Sequence, residues 1–223
     1  MTPEDVATPH GTARLHHHAV DGARATLVLG HSAGGGVGDP ALLAAAKGAA
    51  SQQVSTVLVE QPYRVAGRRA PAPAGQADTV LLAVLAHLRA GSDLPLVTGG
   101  RSFGGRVACR TSLAEEAGVL GVLCLAFPLH PPGRPERTRL PELDGVVVPV
   151  LVVQGDRDPF GCPPEADGRE LVVVADDHSL RRSLPPVADA VARWLGTLLT
   201  APGSPTRPAA ARPPRGRRPR PGS

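Results

Sequence analysis

A mainly parallel, twisted β-sheet with helices on both faces is the fold class that this 223-residue sequence predicts. Three observations predict it. Short apolar runs of strand length alternate with longer stretches of helical periodicity. The apolar runs are continuous rather than alternating, as in strands buried on both faces. Polar clusters stand at the C-terminal ends of those runs: His31 to Gly36, Ser102, Asp156 to Asp158, and Asp176 to His178. Parallel sheets open their ligand crevice at that end.

Taken in order, residues 1–11 are polar and contain prolines, which predicts a loose N-terminus. Thr12 to Val20 reads as an exposed edge strand. It carries His16-His17-His18, but neighbours in a strand alternate faces, so the three cannot grip one ion from one side. Ala25 to Gly30 is a buried strand that runs into His31-Ser-Ala-Gly-Gly-Gly36. Asp39 to Ser51 is a helix with Leu42, Leu43 and Ala46 on its apolar face, and Val54 to Val59 is the next strand. Gln61 to Gly75 reads as a loop. Gln76 to Ala90 is a helix with Val80, Val84, Leu85 and Leu88 at helical spacing.

A strand from Leu94 meets a helix running from Gly104 to about Ala117. Val119 to Ala126 is again a buried strand, and Phe127 to Val147 a loop. Val148 to Gln154 and Glu170 to Ala175 are the last two strands. Pro149 lies near the start of the first of them, where proline does least harm. Pro185 to Leu199 is a helix with prolines in its first turn, where the missing N–H groups cost little. Residues 12–200 thus form one domain, and residues 201–223 a Pro/Arg-rich tail with too little apolar surface to order itself.

Composition narrows the function classes. The formal charge of +4 comes from the tail, which holds six arginines and no acid. Without them the 20 acidic residues outnumber the remaining 18 of 24 Lys and Arg, so no nucleic-acid role follows for the domain. Three cysteines, with no Cys-x-x-Cys pair, argue against a disulfide framework or a zinc site and suit a reducing cytoplasm. No signal peptide is expected from the acidic N-terminus. The longest apolar stretch, Thr79 to Leu88, falls short of the ~20 residues needed to span a bilayer.

The stretch Gly100-Arg101-Ser102-Phe103-Gly104 is a G-x-S-x-G elbow between strand and helix. A serine on so tight a turn needs flanks nearly free of side chains, and it sits at a helix N-terminus that favours developing negative charge. An acid and a histidine follow in the order such sites use. Asp158 lies past the strand that ends at Gly155, one turn further from its end than Asp156, which shapes the turn. His178 follows the last strand. A carboxylate at Asp158 would fix the tautomer of His178, which would move a proton to and from Ser102.

Two backbone donors for an oxyanion are expected from Phe103, next after the serine, and from Ala33 in the Gly-rich loop. His31, Ser32, Arg64 and His130 are candidate pocket residues. A phosphate cradle is the competing reading of the His31 to Gly36 loop, kept open by Glu60, but it lacks a G-x-G-x-x-G run opening a helix and a well-placed acid at the end of the next strand. Cys162 lacks the activation a thiol nucleophile needs.

Together these stretches resemble the α/β-hydrolase superfamily, of dienelactone-hydrolase type. More narrowly they resemble the group that includes many bacterial proteins, a testis-expressed protein and a subunit of a chromatin acetyltransferase complex. The matching segments are Leu29-Gly-His-Ser-Ala-Gly-Gly, Pro62-Tyr-Arg-Val-Ala-Gly-Arg-Arg, Gly99-Gly-Arg-Ser-Phe-Gly-Gly-Arg, Phe127-Pro-Leu-His-Pro-Pro-Gly, Val153-Gln-Gly-Asp-Arg-Asp-Pro-Phe-Gly and Asp177-His-Ser. The resemblance runs from Ala13 to Leu199 and implies a minimal α/β-hydrolase fold without a large lid. It implies Ser102 as nucleophile, Asp158 as acid and His178 as base. Two departures stand out: relatives usually carry Gly where Ser32 stands, and dienelactone hydrolases use a cysteine nucleophile.

The expected function is a serine hydrolase acting on a small ester, thioester or related acyl substrate, with no metal or organic cofactor and no membrane partner. The alternative is a non-catalytic interaction protein on the same scaffold.

Overall fold

A computed structural model describes residues 2–69 and 73–200. The tail, residues 201–223, lies outside the described residues. Among those described, eight strands form one sheet: β1 (Glu4–Thr8), β2 (Gly11–His18), β3 (Ala25–Gly30), β4 (Val54–Glu60), β5 (Leu96–Arg101), β6 (Val122–Leu125), β7 (Val150–Gly155) and β8 (Arg169–Val174). The helices are α1 (Pro40–Ser51), α2 (Pro62–Val65), α3 (Ala74–Gly91), α4 (Phe103–Thr111), α5 (Leu140–Asp144) and α6 (Leu184–Leu198). No described helix is long and apolar enough to cross a membrane.

The strand order is β1-β2-β4-β3-β5-β6-β7-β8. β1 and β2 are antiparallel to their neighbours, and every pairing from β4 to β8 is parallel. The chain winds outward from β3 to β4, then crosses back to lay β5 on the other side of β3. This reversal opens a crevice beyond the C-terminal ends of β3 and β5, the usual ligand position in such sheets.

The sheet separates two apolar layers. Val28, Val57, Leu85, Val107, Cys124 and Val152 belong to the layer beneath α3 and α4. Leu27, Leu58, Leu123, Leu151, Val191 and Trp194 belong to the layer beneath α1 and α6. Both are built mainly from Val, Leu and Ala.

Several expectations are corrected. The N-terminus is not loose: Glu4–Thr8 is the edge strand, and Gly11–His18 therefore lies inside the sheet. Val6 is its one buried side chain, opposite Ala13. Polar pairs do the rest. Arg14 donates to Asp5 at 2.6 and 3.0 Å. His17 and His87 both donate to Glu4, at 2.8 and 2.7 Å, so Glu4 ties β1 to β2 and to α3. His16 turns the other way, to Glu60 at 3.1 Å, as strand alternation requires.

The segment 61–75 holds α2, and α3 begins at Ala74 rather than Gln76. The helix after Ser102 stops at Thr111, and a separate 3₁₀ turn covers Glu115–Ala117. The segment 127–147 contains α5. It remains too short for a lid.

α1 begins at Pro40, with Asp39 as N-cap accepting from the Ala41 N–H at 2.9 Å. Its apolar face differs from the expected one: Leu42 is buried, but Leu43 is exposed. α1 crosses α6 at Gly48, where a methyl group would overlap the Ala188 carbonyl oxygen. Gly48→Ala must force the two helices apart. The expected cost is about 2–3 kcal/mol. Calorimetry should show it as a Tm lower by roughly 5–10 °C.

Candidate active site

The centre of the site is a backbone crossing at the β3/β5 reversal. A Cβ at Gly104 would overlap the Gly30 carbonyl oxygen, and one at Gly100 would press on both Gly30 and Gly104. Only glycines let α4 start this close to β3. The turn leaves Ser102 at φ 51° and ψ −107°, outside the regions that L-residues favour. The Ser102 N–H donates to the Leu125 carbonyl at 2.9 Å, and its own carbonyl accepts from Arg106 N–H at 3.2 Å. The strained residue is thus held from both sides. Phe103 begins α4 immediately after it.

Ser102, His178 and Asp158 come together. The Ser102 hydroxyl lies 2.9 Å from His178 Nε2, and His178 Nδ1 lies 2.7 Å from Asp158 Oδ2. A carboxylate only accepts when ionised, so it assigns the proton to Nδ1 and leaves Nε2 free to accept from Ser102. The Asp158 side chain is fully buried. Its second oxygen accepts from Phe160 N–H at 2.8 Å. The Phe160 ring stacks against the imidazole, with centroids 4.2 Å apart. Asp156 stands outside this line, exposed, with its N–H on the Val174 carbonyl.

Four residues that sequence reasoning missed hold this arrangement. Gln154, fully buried at the end of β7, donates from Nε2 to Asp158 Oδ2 at 2.8 Å, to the Gly161 carbonyl at 2.8 Å and to the Phe127 carbonyl at 3.2 Å. Asp176, also buried, accepts from the N–H groups of Asp177, Arg182 and Ser183, and so shapes the loop carrying His178. Arg101 donates to Ser32 Oγ, to Asp39 and to the His178 carbonyl. Tyr63 donates its hydroxyl to the Ala33 carbonyl at 2.7 Å.

The candidate pocket residues fall in different places. His31 is buried and spans two segments: Nδ1 donates to the Ser32 carbonyl at 2.8 Å, and Nε2 accepts from Gln61 N–H at 3.2 Å. It braces the Gly-rich loop rather than lining an open pocket. Ser32 turns its hydroxyl to Arg101. Arg64 is half-buried on α2, with its Nε unpartnered among the described residues. His130 packs over Gly161, beside the Asp158 turn, and donates from Nδ1 to the Pro131 carbonyl at 3.0 Å. Cys162 is exposed, and desolvation by the atoms around its sulfur together with the nearby Asp158 charge raises its thiol pKa, which disfavours the thiolate. Cys109 and Cys124 are buried free thiols with sulfurs 3.5 Å apart. Among the described residues, no three His, Cys, Asp or Glu side chains are grouped to hold a metal ion.

Burial lowers the His31 pKa from its ordinary 6.5, with the Arg64 charge adding to the shift. The folded state therefore takes up its proton less readily than the unfolded chain. The resulting stability is fully present above about pH 6.5 and is lost as pH falls below it. Thermal melts between pH 7 and 5 should show Tm declining, and His31→Gln should flatten that slope. The effect of Glu4, whose pKa is lowered from 4.5 by its bonds to His87 and His17, lies at lower pH.

A sheet of this topology, with a tight glycine-flanked turn from the central strand into a helix, defines the α/β-hydrolase class of fold. Residues 23–182 match the family model described as alpha/beta hydrolase domain, and the chain belongs to that family. Solved structures agree on the fold. Est1E from Butyrivibrio proteoclasticus is 16% identical with a TM-score of 0.73, covering 90% of this chain and 100% of that one. XC6422 from Xanthomonas campestris, described as an a/b serine hydrolase without lid, is 18% identical with a TM-score of 0.71, covering 92% and 96%. A dienelactone hydrolase from Anabaena variabilis is 17% identical with a TM-score of 0.64, covering 89% and 98%. No curated protein matches the chain.

Proposed function

We propose that the chain is a serine hydrolase that cleaves a small carboxylic ester, thioester or related acyl substrate through an acyl-enzyme. The observation that carries this reading is the unbroken line of two hydrogen bonds, 2.9 Å from Ser102 to His178 and 2.7 Å from His178 to Asp158. Ser102 Oγ attacks the carbonyl carbon while its proton passes to His178 Nε2. Asp158 steadies the imidazolium. The N–H groups of Phe103 and Ala33 hold the oxyanion. When the tetrahedral intermediate collapses, His178 gives its proton to the leaving alcohol or thiol. Water then attacks the acyl-enzyme, loses a proton to His178 and releases the acid, and the proton returns to Ser102.

The short segment between β6 and β7 supports an open site and a small or surface-presented substrate. Buried free thiols at Cys109 and Cys124 support residence in a reducing compartment, the cytoplasm. The narrower kinship with the group of the testis-expressed protein and the chromatin complex subunit rests on the six segments quoted above. A panel of p-nitrophenyl esters and acyl thioesters tests the reading. Est1E has been solved with ferulic acid bound, which puts feruloyl esters on that panel. Turnover of at least one, together with fluorophosphonate labelling of Ser102, is the expected outcome. Folded protein that neither turns over an ester nor takes the label would leave the scaffold reading in its place.

A further inference from the structure

We propose that Arg101, the residue before the serine, is a positioning residue that locks the oxyanion loop and the histidine loop into register with Ser102. The inference rests on the reading of Ser102 as nucleophile.

Arg101 closes β5, and its side chain is 12% exposed. One planar cation there meets three acceptors, all remote from it in sequence: two in the segment between β3 and α1 and one in the loop after β8. Nη1 donates to Ser32 Oγ at 3.1 Å and to Asp39 Oδ2 at 2.9 Å. Nη2 donates to the His178 carbonyl oxygen at 2.8 Å. Asp39 is itself buried, and its other oxygen caps α1. The charge is therefore compensated, and the pair is anchored to a helix start.

Each contact has a consequence for the site. Ser32 opens the turn that holds Ala33, closed by the Gly35 N–H on the Ser32 carbonyl at 3.0 Å. Fixing Ser32 Oγ fixes the backbone that presents the Ala33 N–H. The His178 carbonyl belongs to the residue whose ring must reach both Ser102 and Asp158. Holding that oxygen limits how far the loop can swing. A guanidinium can do this because its donors form a rigid planar fork; an ammonium is a point charge on a flexible stem. This also gives Ser32 a function, since a glycine at that position would offer Arg101 no acceptor.

The test separates positioning from bulk stability. Arg101→Lys keeps the charge beside Asp39 but cannot span the three acceptors. Expected are a kcat lower by about 10- to 100-fold, as misplacement by roughly 1 Å produces, a KM changed less than threefold, and a Tm within a few degrees of wild type. Arg101→Met with Asp39→Ser removes both charges and keeps a helix-capping oxygen. Replacing a buried ion pair by neutral groups is often neutral for stability, so its Tm should hold while its fluorophosphonate labelling rate stays low. Either folded variant labelling Ser102 at the wild-type rate, with wild-type kcat, would overturn the proposal. Wild-type protein that does not label at Ser102 would instead sink the serine-hydrolase reading, and the Arg101 role with it.

Discussion

Ser102→Ala should lower turnover of any accepted ester by about 10⁴- to 10⁶-fold, the usual loss when a serine nucleophile is removed. His178→Ala should cost about as much, and the double variant little more. On the proposed mechanism Ser102 and His178 share one proton transfer, so removing either disables the same step, while Asp158 orients and steadies the imidazole. Asp158→Asn keeps the shape but can present an N–H to Nδ1 and turn the imidazole to the wrong tautomer. A loss near 10⁴-fold is expected. Steady-state kinetics on the best p-nitrophenyl ester reads all four. Stability supplies an independent check. Ser102 holds a backbone conformation that costs on the order of 1–3 kcal/mol for a side-chain-bearing residue. Ser102→Gly should therefore be inactive and yet melt higher than wild type, whereas Ser102→Ala should be inactive without that gain. A Ser102→Ala protein retaining a tenth of wild-type activity would exclude the mechanism.

Gly104→Ala should be the most damaging single-methyl change among the described glycines. The added carbon would overlap the Gly30 carbonyl oxygen, with its carbonyl carbon and Cα close behind. No flexible side chain can yield there, because every atom in the way is backbone. Relief requires α4 to lift from β3, which moves Ser102 and unpacks Val107 and Ala108 from the layer they help to build. A loss of at least 3 kcal/mol is expected, at the upper end of over-packing costs. Urea melts measure it. Gly36→Ala is the control: no atom lies within 4 Å of its added carbon, so it should fall within about 0.5 kcal/mol of wild type. Equal midpoints for the two variants would refute the close-crossing account.

The reach of sequence reasoning follows from how local each signal is. The elbow was legible because its glycines and serine sit within five residues between an apolar run and a helical pattern. Asp158 and His178 were legible because each follows a strand end. Arg101 was not, since its partners Ser32, Asp39 and His178 lie 62 to 77 residues away. Gln154 and Asp176 hid for a similar reason: a buried polar side chain shows its purpose only beside the groups it satisfies. The N-terminal strand escaped because Val6 alone marks it as apolar. Its pairing rests on Glu4 and Asp5, which read as a solvated start until Arg14, His17 and His87 come alongside. The short α2 and α5 carry too few residues for a periodic pattern to emerge.

The two apolar layers on opposite faces of the sheet carry a consequence for how the molecule fails. Ser102 heads α4, which is rooted in one layer; His178 leads into α6, which is rooted in the other. Their 2.9 Å meeting therefore exists only while both halves are sound. On the proposed mechanism, a change that shifts either layer against the sheet also shifts one partner of that bond. Packing faults on either face of the sheet therefore converge on a single hydrogen bond.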